Sequence, residues 1–246
     1  MLVNQRIDFV SNWINNYIDQ SSNKSFNLVI GVSGGIDSAV TSTLCAKTNK
    51  KTIVISMPIR QNKNQHSLSL EHIDWLKLNF SNVESYIIDL DEIFNSFQGT
   101  MKNFDSELAF ANSRSRLRMV TLYQIAQSKN ALVVGTGNKV EDFGIGFYTK
   151  YGDGGVDISP IADCTKSQVW DMGKNLEILE EIINAQPTDG LWDDGRTDVN
   201  QLGMTYQELE EAMRNPVNKG HKKYLEIRKR NLHKMNPIPF CKMKND

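Results

Sequence analysis

The stretch "NLVIGVSGGIDSAV" (27–40) restricts the fold more than any other part of the chain. An apolar, β-branched run leads into two adjacent glycines, and an acid and a hydroxyl follow where a helical pattern begins. A glycine pair permits backbone conformations closed to other residues and lets a ligand come close to the main chain. The N–H groups of the next helix add partial positive charge, so a strand–turn–helix unit of this composition suits a phosphate chain. Ser33 and Ser38 supply hydroxyl donors. Asp37 would repel naked phosphate and becomes useful when Mg2+ bridges it to the phosphates. The string is neither GxxxxGK[ST] nor GxGxxG, so it reads as a different magnesium-nucleotide loop; an ordinary tight turn is the competing reading.

The rest of the chain alternates in the same way. "TIVISMP" (52–58), "VESYIIDL" (83–90) and "ALVVGT" (131–136) read as strands like residues 27–32, and residues 38–47, 66–79 and about 107–128 read as helices. Such alternation is the pattern of βαβ units and a parallel sheet. In the longest helix Leu108, Ala111, Leu117, Val120 and Ile125 form an apolar stripe, interrupted by the basic cluster "RSRLR". The polar connector "NSFQGTMKNFD" (95–105) is expected to be a mobile loop. After the fourth strand, "GNKVEDFGIGFYTKYGDGG" runs for 19 residues with 6 glycines, too long for a plain connection and therefore a candidate functional loop. "TKSQ" (165–168) and "TYQE" (205–208) fit helix-starting capping boxes. There is no internal repeat and no linker-like segment, so residues 1–246 are expected to form a single domain.

Composition narrows the function. At 246 residues the chain can bury one sizeable core or two small ones, and 39% hydrophobic with 23% charged residues is ordinary for a globular enzyme. The net charge of -1 argues against a nucleic-acid partner. No apolar stretch reaches the roughly 18 residues of a membrane span, and "MLVNQRIDFVSNW" shows no basic-then-apolar signal, so no membrane association and a cytoplasmic location are expected. Cys45, Cys164 and Cys241 are far apart and form no CxxC, consistent with free thiols.

"SGGIDS" resembles the pyrophosphate-binding loop of the ATP pyrophosphatases, which cleave ATP to AMP and pyrophosphate while adenylating a substrate oxygen. Within that superfamily, "GTGNKVEDFGIGFYTKYGDGGVDISPIADCTKSQV" resembles the substrate and magnesium region of the NAD synthetases, with "FYTKYGDGG" the most specific piece. "RSRLRM" (114–119), "QPTDGLWDD" (186–194) and "HK" (233–234) follow in that family's order, so the resemblance spans nearly the whole chain. Relative to the better-known bacterial pattern, the stretch from Glu141 to Lys150 is one residue longer.

The resemblance implies an α/β fold: a mainly parallel twisted sheet flanked by helices, Rossmann-like and three-layered, of the adenine nucleotide alpha hydrolase type. It implies amidation of deamido-NAD by ammonia, with ATP converted to AMP and pyrophosphate through an adenylated nicotinate. Residue by residue, it places ATP on Gly31, Val32, Ser33, Gly34, Gly35, Ile36, Asp37, Ser38, Thr136, Lys166 and Thr188, and Mg2+ on Asp37 and Glu141. It places deamido-NAD on Arg116, Lys150, Asp157, His233 and Lys234. Arg116 and Lys150 have the charge for a phosphate or the nicotinate carboxylate, and Asp157 suits a ribose hydroxyl or an amide. Asp37 and Lys166 are the expected catalytic groups, and Asp153 is added as a holder or deprotonator of ammonium. A homodimer with the dinucleotide site near its interface is also implied.

Blander readings stand beside these. Glu141 and Asp142 are also readable as solvated loop acids, "KGHKKYLEIRKRNLHK" as a solvated helix face, and "DGLWDDGRTD" as solvated aspartates rather than a second metal site. Trp13 and Trp192 read as packing residues. A glutaminase domain, as in the glutamine-dependent synthetases, has no room here, and the cysteine positions do not supply the reactive pair of tRNA-thiolating enzymes. A silent nucleotide sensor on the same fold, or a synthetase fed by a separate glutaminase, are the alternatives.

Overall fold

The computed structural model describes residues 1–21, 26–192 and 194–243. Four strands, β1 (Asn27–Gly31), β2 (Thr52–Ser56), β3 (Val83–Ile87) and β4 (Ala131–Val133), form a parallel sheet in the order β3-β2-β1-β4. Val29 sits opposite Ile53 on one side and Val133 on the other. The helices are α1 (Val3–Gln20), α2 (Ile36–Lys47), α3 (Lys63–Asn79), α4 (Asp91–Thr100), α5 (Glu107–Ser128), α6 (Lys166–Asn175), α7 (Glu180–Asn184), α8 (Asp198–Leu202), α9 (Tyr206–Arg214) and α10 (His221–Met235).

Strand side chains alternate between faces, and β1, β2 and β4 are covered on both, which is why they are largely apolar, whereas the edge strand β3 is half-exposed and mixed. Leu28, Ile30 and Val54 point into a core shared with α1, α2, α3, α6 and α7. Val29, Ile53, Ile55 and Val133 point the other way, against Phe94 of α4 and Phe110 and Ala126 of α5. This is the expected three-layer α/β arrangement. A third cluster, including Val140, Ile145, Leu202, Leu209 and Tyr224, joins α8, α9 and α10 beyond the carboxyl end of β4.

Helix α1 adds to the expected elements: Ile7, Val10, Ile14 and Ile18 make a buried stripe at helical spacing. Residues 95–105 are not the expected loop. α4 and a 3₁₀ turn at Lys102–Phe104 occupy most of them, because Phe94 anchors the helix in the core and the Arg60 guanidinium bonds Asn95 and Gln98 on its outer side. In α5 the apolar stripe is only partly a core face. Leu108 and Val120 are exposed, whereas Arg114 and Ser115 of the basic cluster are buried. Smaller differences are at element ends: α2 begins at Ile36, α3 begins at Lys63 behind an Asn62 cap, β3 stops at Ile87, and past β4 only Val134 continues as a single bridge to Ile158. Both capping boxes form, Thr165 with Gln168 and Thr205 with Glu208. No helix of the described residues is long and apolar enough to cross a membrane.

Phe94 is fully buried, edge-on to Phe110 at 6.3 Å, with Arg60 5.4 Å and Arg114 5.0 Å from its ring centre. Phe94→Ala should cost about 3–5 kcal/mol in denaturant unfolding. Leu78→Ala, at an 87% exposed position, should stay within about 0.5 kcal/mol of the parent.

Candidate active site

The connection from β1 runs through α2 to β2 on one side, while β4 lies on the other side of β1. Strand order reverses between β1 and β4, and a crevice opens at the carboxyl ends of parallel strands at such a point. The glycine loop and the segment after β4 both empty into it.

The loop is closed by its own hydroxyls. Ser33 N–H donates to Ser38 Oγ at 3.2 Å, Ser38 Oγ–H donates to Gly35 C=O at 2.9 Å, and Gly35 N–H donates to Ser33 Oγ at 3.3 Å. Gly34 has φ +88°, and a Cβ there would lie 2.3 Å from the Gln65 carbonyl oxygen, so only glycine fits. Gly35 caps α2 without a side-chain acceptor, leaving Ile36, Asp37 and Ser38 in the first turn. Thr136 follows β4 on the opposite wall, half-buried.

Three of the expected residues meet. Lys166, the first residue of α6, is fully buried and donates from Nζ to Asp37 Oδ2 at 2.5 Å and to Glu141 Oε1 at 2.8 Å. Burial alone would lower the lysine's pKa; the two carboxylates outweigh it and hold Lys166 protonated well above the ordinary lysine range. Two acids face one base, and the excess shows on Asp37, pushed up by burial and by the charge of Glu141. Asp142 is pushed well above the usual carboxylate range by burial, then by Asp153, Glu141 and Asp37.

Asn138, which sequence reasoning missed, fixes this geometry. It is fully buried; its Nδ2 donates to Asp37 Oδ1 at 3.1 Å, and its Oδ1 accepts the N–H groups of Val140 at 3.0 Å and Glu141 at 3.1 Å. One amide thus orients one carboxylate and caps the turn that carries the other. Its only sequence signal is its place in "GTGNKVED". Tyr206 and Asp198 were also missed. The Tyr206 ring lies 4.7 Å from Lys166 Nζ, and its hydroxyl donates to Asp198 Oδ2 at 2.6 Å.

Glu141–Ile145 form a π turn rather than an irregular loop. Beyond it a cavity of about 320 Å³ is lined by Gly137, Asp142, Tyr148, Asp153, Arg228 and Met235, among others. Asp153 sits exposed at its rim, its Oδ1 accepting from Ser115 Oγ–H at 2.6 Å and Thr149 N–H at 3.0 Å.

The basic residues form a second group. Arg116 Nε donates to Lys150 C=O at 3.3 Å, and Lys150 Nζ donates to His233 C=O at 3.3 Å. Lys234 Nζ donates to Tyr148 C=O at 2.7 Å, with burial lowering its pKa. Asp157 is not with them. It accepts from Val133 N–H at 2.8 Å and Tyr123 O–H at 3.0 Å, capping the end of β4. Thr188 Oγ1 donates to Arg196 C=O at 3.0 Å and closes the loop that follows α7. In that loop Asp189 accepts from Trp192 and Gln201, Asp194 pairs with Arg196, and Arg196 stacks 4.0 Å from the Trp192 ring; Asp193 lies outside the described residues. Among the described residues no cluster of three His, Cys, Asp or Glu forms a metal cage.

Fold and site together define a nucleotide-binding α/β protein with an acid-rich centre at the switch point of its sheet. The chain belongs to the NAD synthase family, whose model matches residues 6–243. It is 36% identical over 211 residues to an NH(3)-dependent NAD(+) synthetase of Carboxydothermus hydrogenoformans, covering 84% of this chain and 83% of that protein. Among solved structures, the NMN synthetase from Francisella tularensis superposes with a TM-score of 0.89 at 31% identity, covering 99% of this chain and 100% of that one. An NH3-dependent NAD synthetase from Campylobacter jejuni gives 0.77 at 24% identity, covering 98% of this chain and 100% of that one, a likeness of fold.

Asp198 gives the site a pH signature. Burial first, and the charge of Glu141 second, raise its pKa from 3.8 to about 7. The unfolded carboxyl therefore ionises at lower pH than the folded one, so stability falls as pH rises from about 4 to 7 and is flat above. Ionised, the group costs the fold roughly 4 kcal/mol. The stability of Asp198→Asn relative to the parent should rise by about 2.5 kcal/mol between pH 5 and pH 8, measured by urea unfolding at each pH.

Proposed function

We propose that this chain amidates the nicotinate carboxylate of deamido-NAD with ammonia, converting ATP to AMP and pyrophosphate. The observation that carries the reading is the meeting of Asp37, Glu141 and Lys166 at the mouth of the glycine loop, in a chain of this family. A carboxylate is a poor electrophile and must be adenylated first, which brings two anions together and requires fixed positive charge. Mg2+ fits the donor set: two hard carboxylates converge on a single cation, Lys166, and leave negative charge uncompensated. Asp37 and Glu141 would hold the ion, which would neutralise charge on the phosphates.

The protein's own steps follow from the geometry. The free first turn of α2 and the hydroxyls of Ser33 and Ser38 cradle the phosphate chain. Lys166, released from its carboxylates as ATP binds, faces the phosphates and stabilises the charge that builds on them. Thr136 and Thr188 hold the nucleotide from the wall and from the loop after α7. Arg116, Lys150, His233 and Lys234 form a cationic site for the pyridine nucleotide, and Asp157 supports it from the end of β4. Asp153, at the rim of the acid-lined cavity, receives ammonium. A homodimer is supported by the apolar side chains of Ile93, Phe97, Leu108 and Val120, exposed along α4 and α5. A cytoplasmic location and a single domain complete the reading.

A second substrate is favoured by one observation, the 0.89 TM-score and 31% identity to an NMN synthetase. Nicotinic acid mononucleotide presents the same carboxylate, so the chemistry is unchanged and only the adenylate half of the substrate differs.

Purified chain with ATP, Mg2+ and an ammonium salt should release AMP only when a pyridine nucleotide is added. Comparing kcat/KM for deamido-NAD and nicotinic acid mononucleotide decides between the two substrates, and turnover of neither overturns the amidation reading. Asp37→Asn should lower kcat by about 100-fold or more while the melting temperature holds, because it removes charge from the ion's place without changing shape and leaves Lys166 paired with Glu141. Unchanged activity would remove Asp37 from the site.

A further inference from the structure

We propose that Tyr206, held in place by Asp198, is a positioning residue that aims Glu141 and Lys166 at the bound nucleotide and couples them to the loop carrying Thr188. The inference rests on the ATP-binding reading above. Tyr206 is buried and has one hydroxyl proton, yet two carboxylates lie within its reach, Asp198 at 2.6 Å and Glu141. Its ring faces the Lys166 ammonium at 4.7 Å, and Trp170 braces it edge-on at 5.9 Å between centres. Tyr206 is therefore in contact with both charged groups that face each other across the site.

Asp198 holds Tyr206 in a way stability does not explain. The residue is 5% exposed, one oxygen accepts the Tyr206 hydroxyl hydrogen bond, and the other, Oδ1, is buried with no hydrogen-bond partner. An orphaned carboxylate oxygen is costly, and natural proteins keep such groups chiefly at functional sites. Its main chain supplies the coupling: Asp198 N–H donates to Pro187 C=O at 3.1 Å, next to Thr188. From the other side, Glu210 of α9 accepts from the Ser167 N–H at 2.8 Å and Oγ–H at 2.9 Å, docking α9 on the first turn of α6 beside Lys166. Tyr206 thus stands between the segment before Thr188 and the helix that begins with Lys166. When phosphates draw Lys166 off its carboxylates, the tyrosine hydroxyl turns its one proton from Asp198 to Glu141.

Tyr206→Phe keeps the ring and its contact with Lys166 but removes the donor. ATP affinity of the full chain, measured by calorimetry with Mg2+, should fall about 10- to 100-fold, the range expected for one lost hydrogen bond to a charged group. In kinetics, kcat should fall while KM for the pyridine nucleotide stays within about two-fold. Asp198→Asn should weaken ATP binding in the parent and add nothing in the Tyr206→Phe background, because it acts through that hydroxyl. Unchanged ATP affinity in Tyr206→Phe, or losses that multiply in the double variant, would overturn the proposal. If Asp198→Asn does not fold, Tyr206→Phe decides alone. A parent chain that binds ATP but amidates neither nucleotide would fail the functional reading and leave the binding comparison standing; one that binds no ATP fails both.

Discussion

One ammonium between two carboxylates holds the site together. Lys166 joins the first turn of α2, the π turn after β4 and the start of α6, through bonds to residues 129 and 25 positions away. Buried charges are tolerated only when paired, and removing one partner of such a pair typically costs about 3–5 kcal/mol. The triad is nevertheless unbalanced, two acids to one base, with Asp142 behind them pushed toward its neutral form. Such an arrangement favours the arrival of another cation. The lysine that bridges both carboxylates is the one proposed to face the phosphates of ATP.

The sheet explains why these three segments can meet. β1 and β4 are neighbours though far apart in sequence, since the chain builds β2 and β3 on one side before α4 and α5 carry it across to the other. The loop after β1 and the segment after β4 must then leave the sheet side by side, on the end where helix N-termini and glycine turns expose N–H groups. Asn138 exploits this proximity with a single buried amide that touches both. Its short reach sets the spacing between Asp37 and Glu141 more firmly than either loop could.

What the sequence made legible follows from the range of the interaction. Local rules were sufficient for the parallel sheet, the glycine loop and both capping boxes, because each depends on residues within a few positions. The family strings carried Lys166 and Glu141 to one site, where the structure has them 2.8 Å apart. Periodicity misjudged α5, because Arg114 is buried through its stacking on Phe94 and its bond to the Leu191 carbonyl, 77 residues away. It also left residues 95–105 as a loop, since what orders them is Arg60, outside the segment. Asp198 and Tyr206 had no signal, each looking like an ordinary helix-start residue. The bonds of Asp157 to Val133 N–H and Tyr123 O–H, at the end of β4, also carry no signal in the sequence.

The π turn at Glu141–Ile145 lies within the stretch expected to be one residue longer than the family pattern. A π turn pairs residues five apart, so it is wider than an α turn and leaves carbonyl groups free for other donors. Here the freed carbonyls are met from α10: Arg228 donates to Phe143 at 2.8 Å and to Gly144, Asn231 Nδ2 donates to Ile145 at 2.9 Å, and the Tyr224 hydroxyl donates to Gly144 at 3.3 Å. Gly146, at φ +69°, lets the chain turn out again against Asn231 and Met235, where a Cβ would come within 2.7 Å of Asn231. The basic C-terminal helix that reads as a solvated surface is therefore partly a clamp. Arg228, Asn231 and Tyr224 satisfy the backbone of the turn that presents Glu141 to Lys166, and the space left between turn and clamp is the acid-lined cavity beside them.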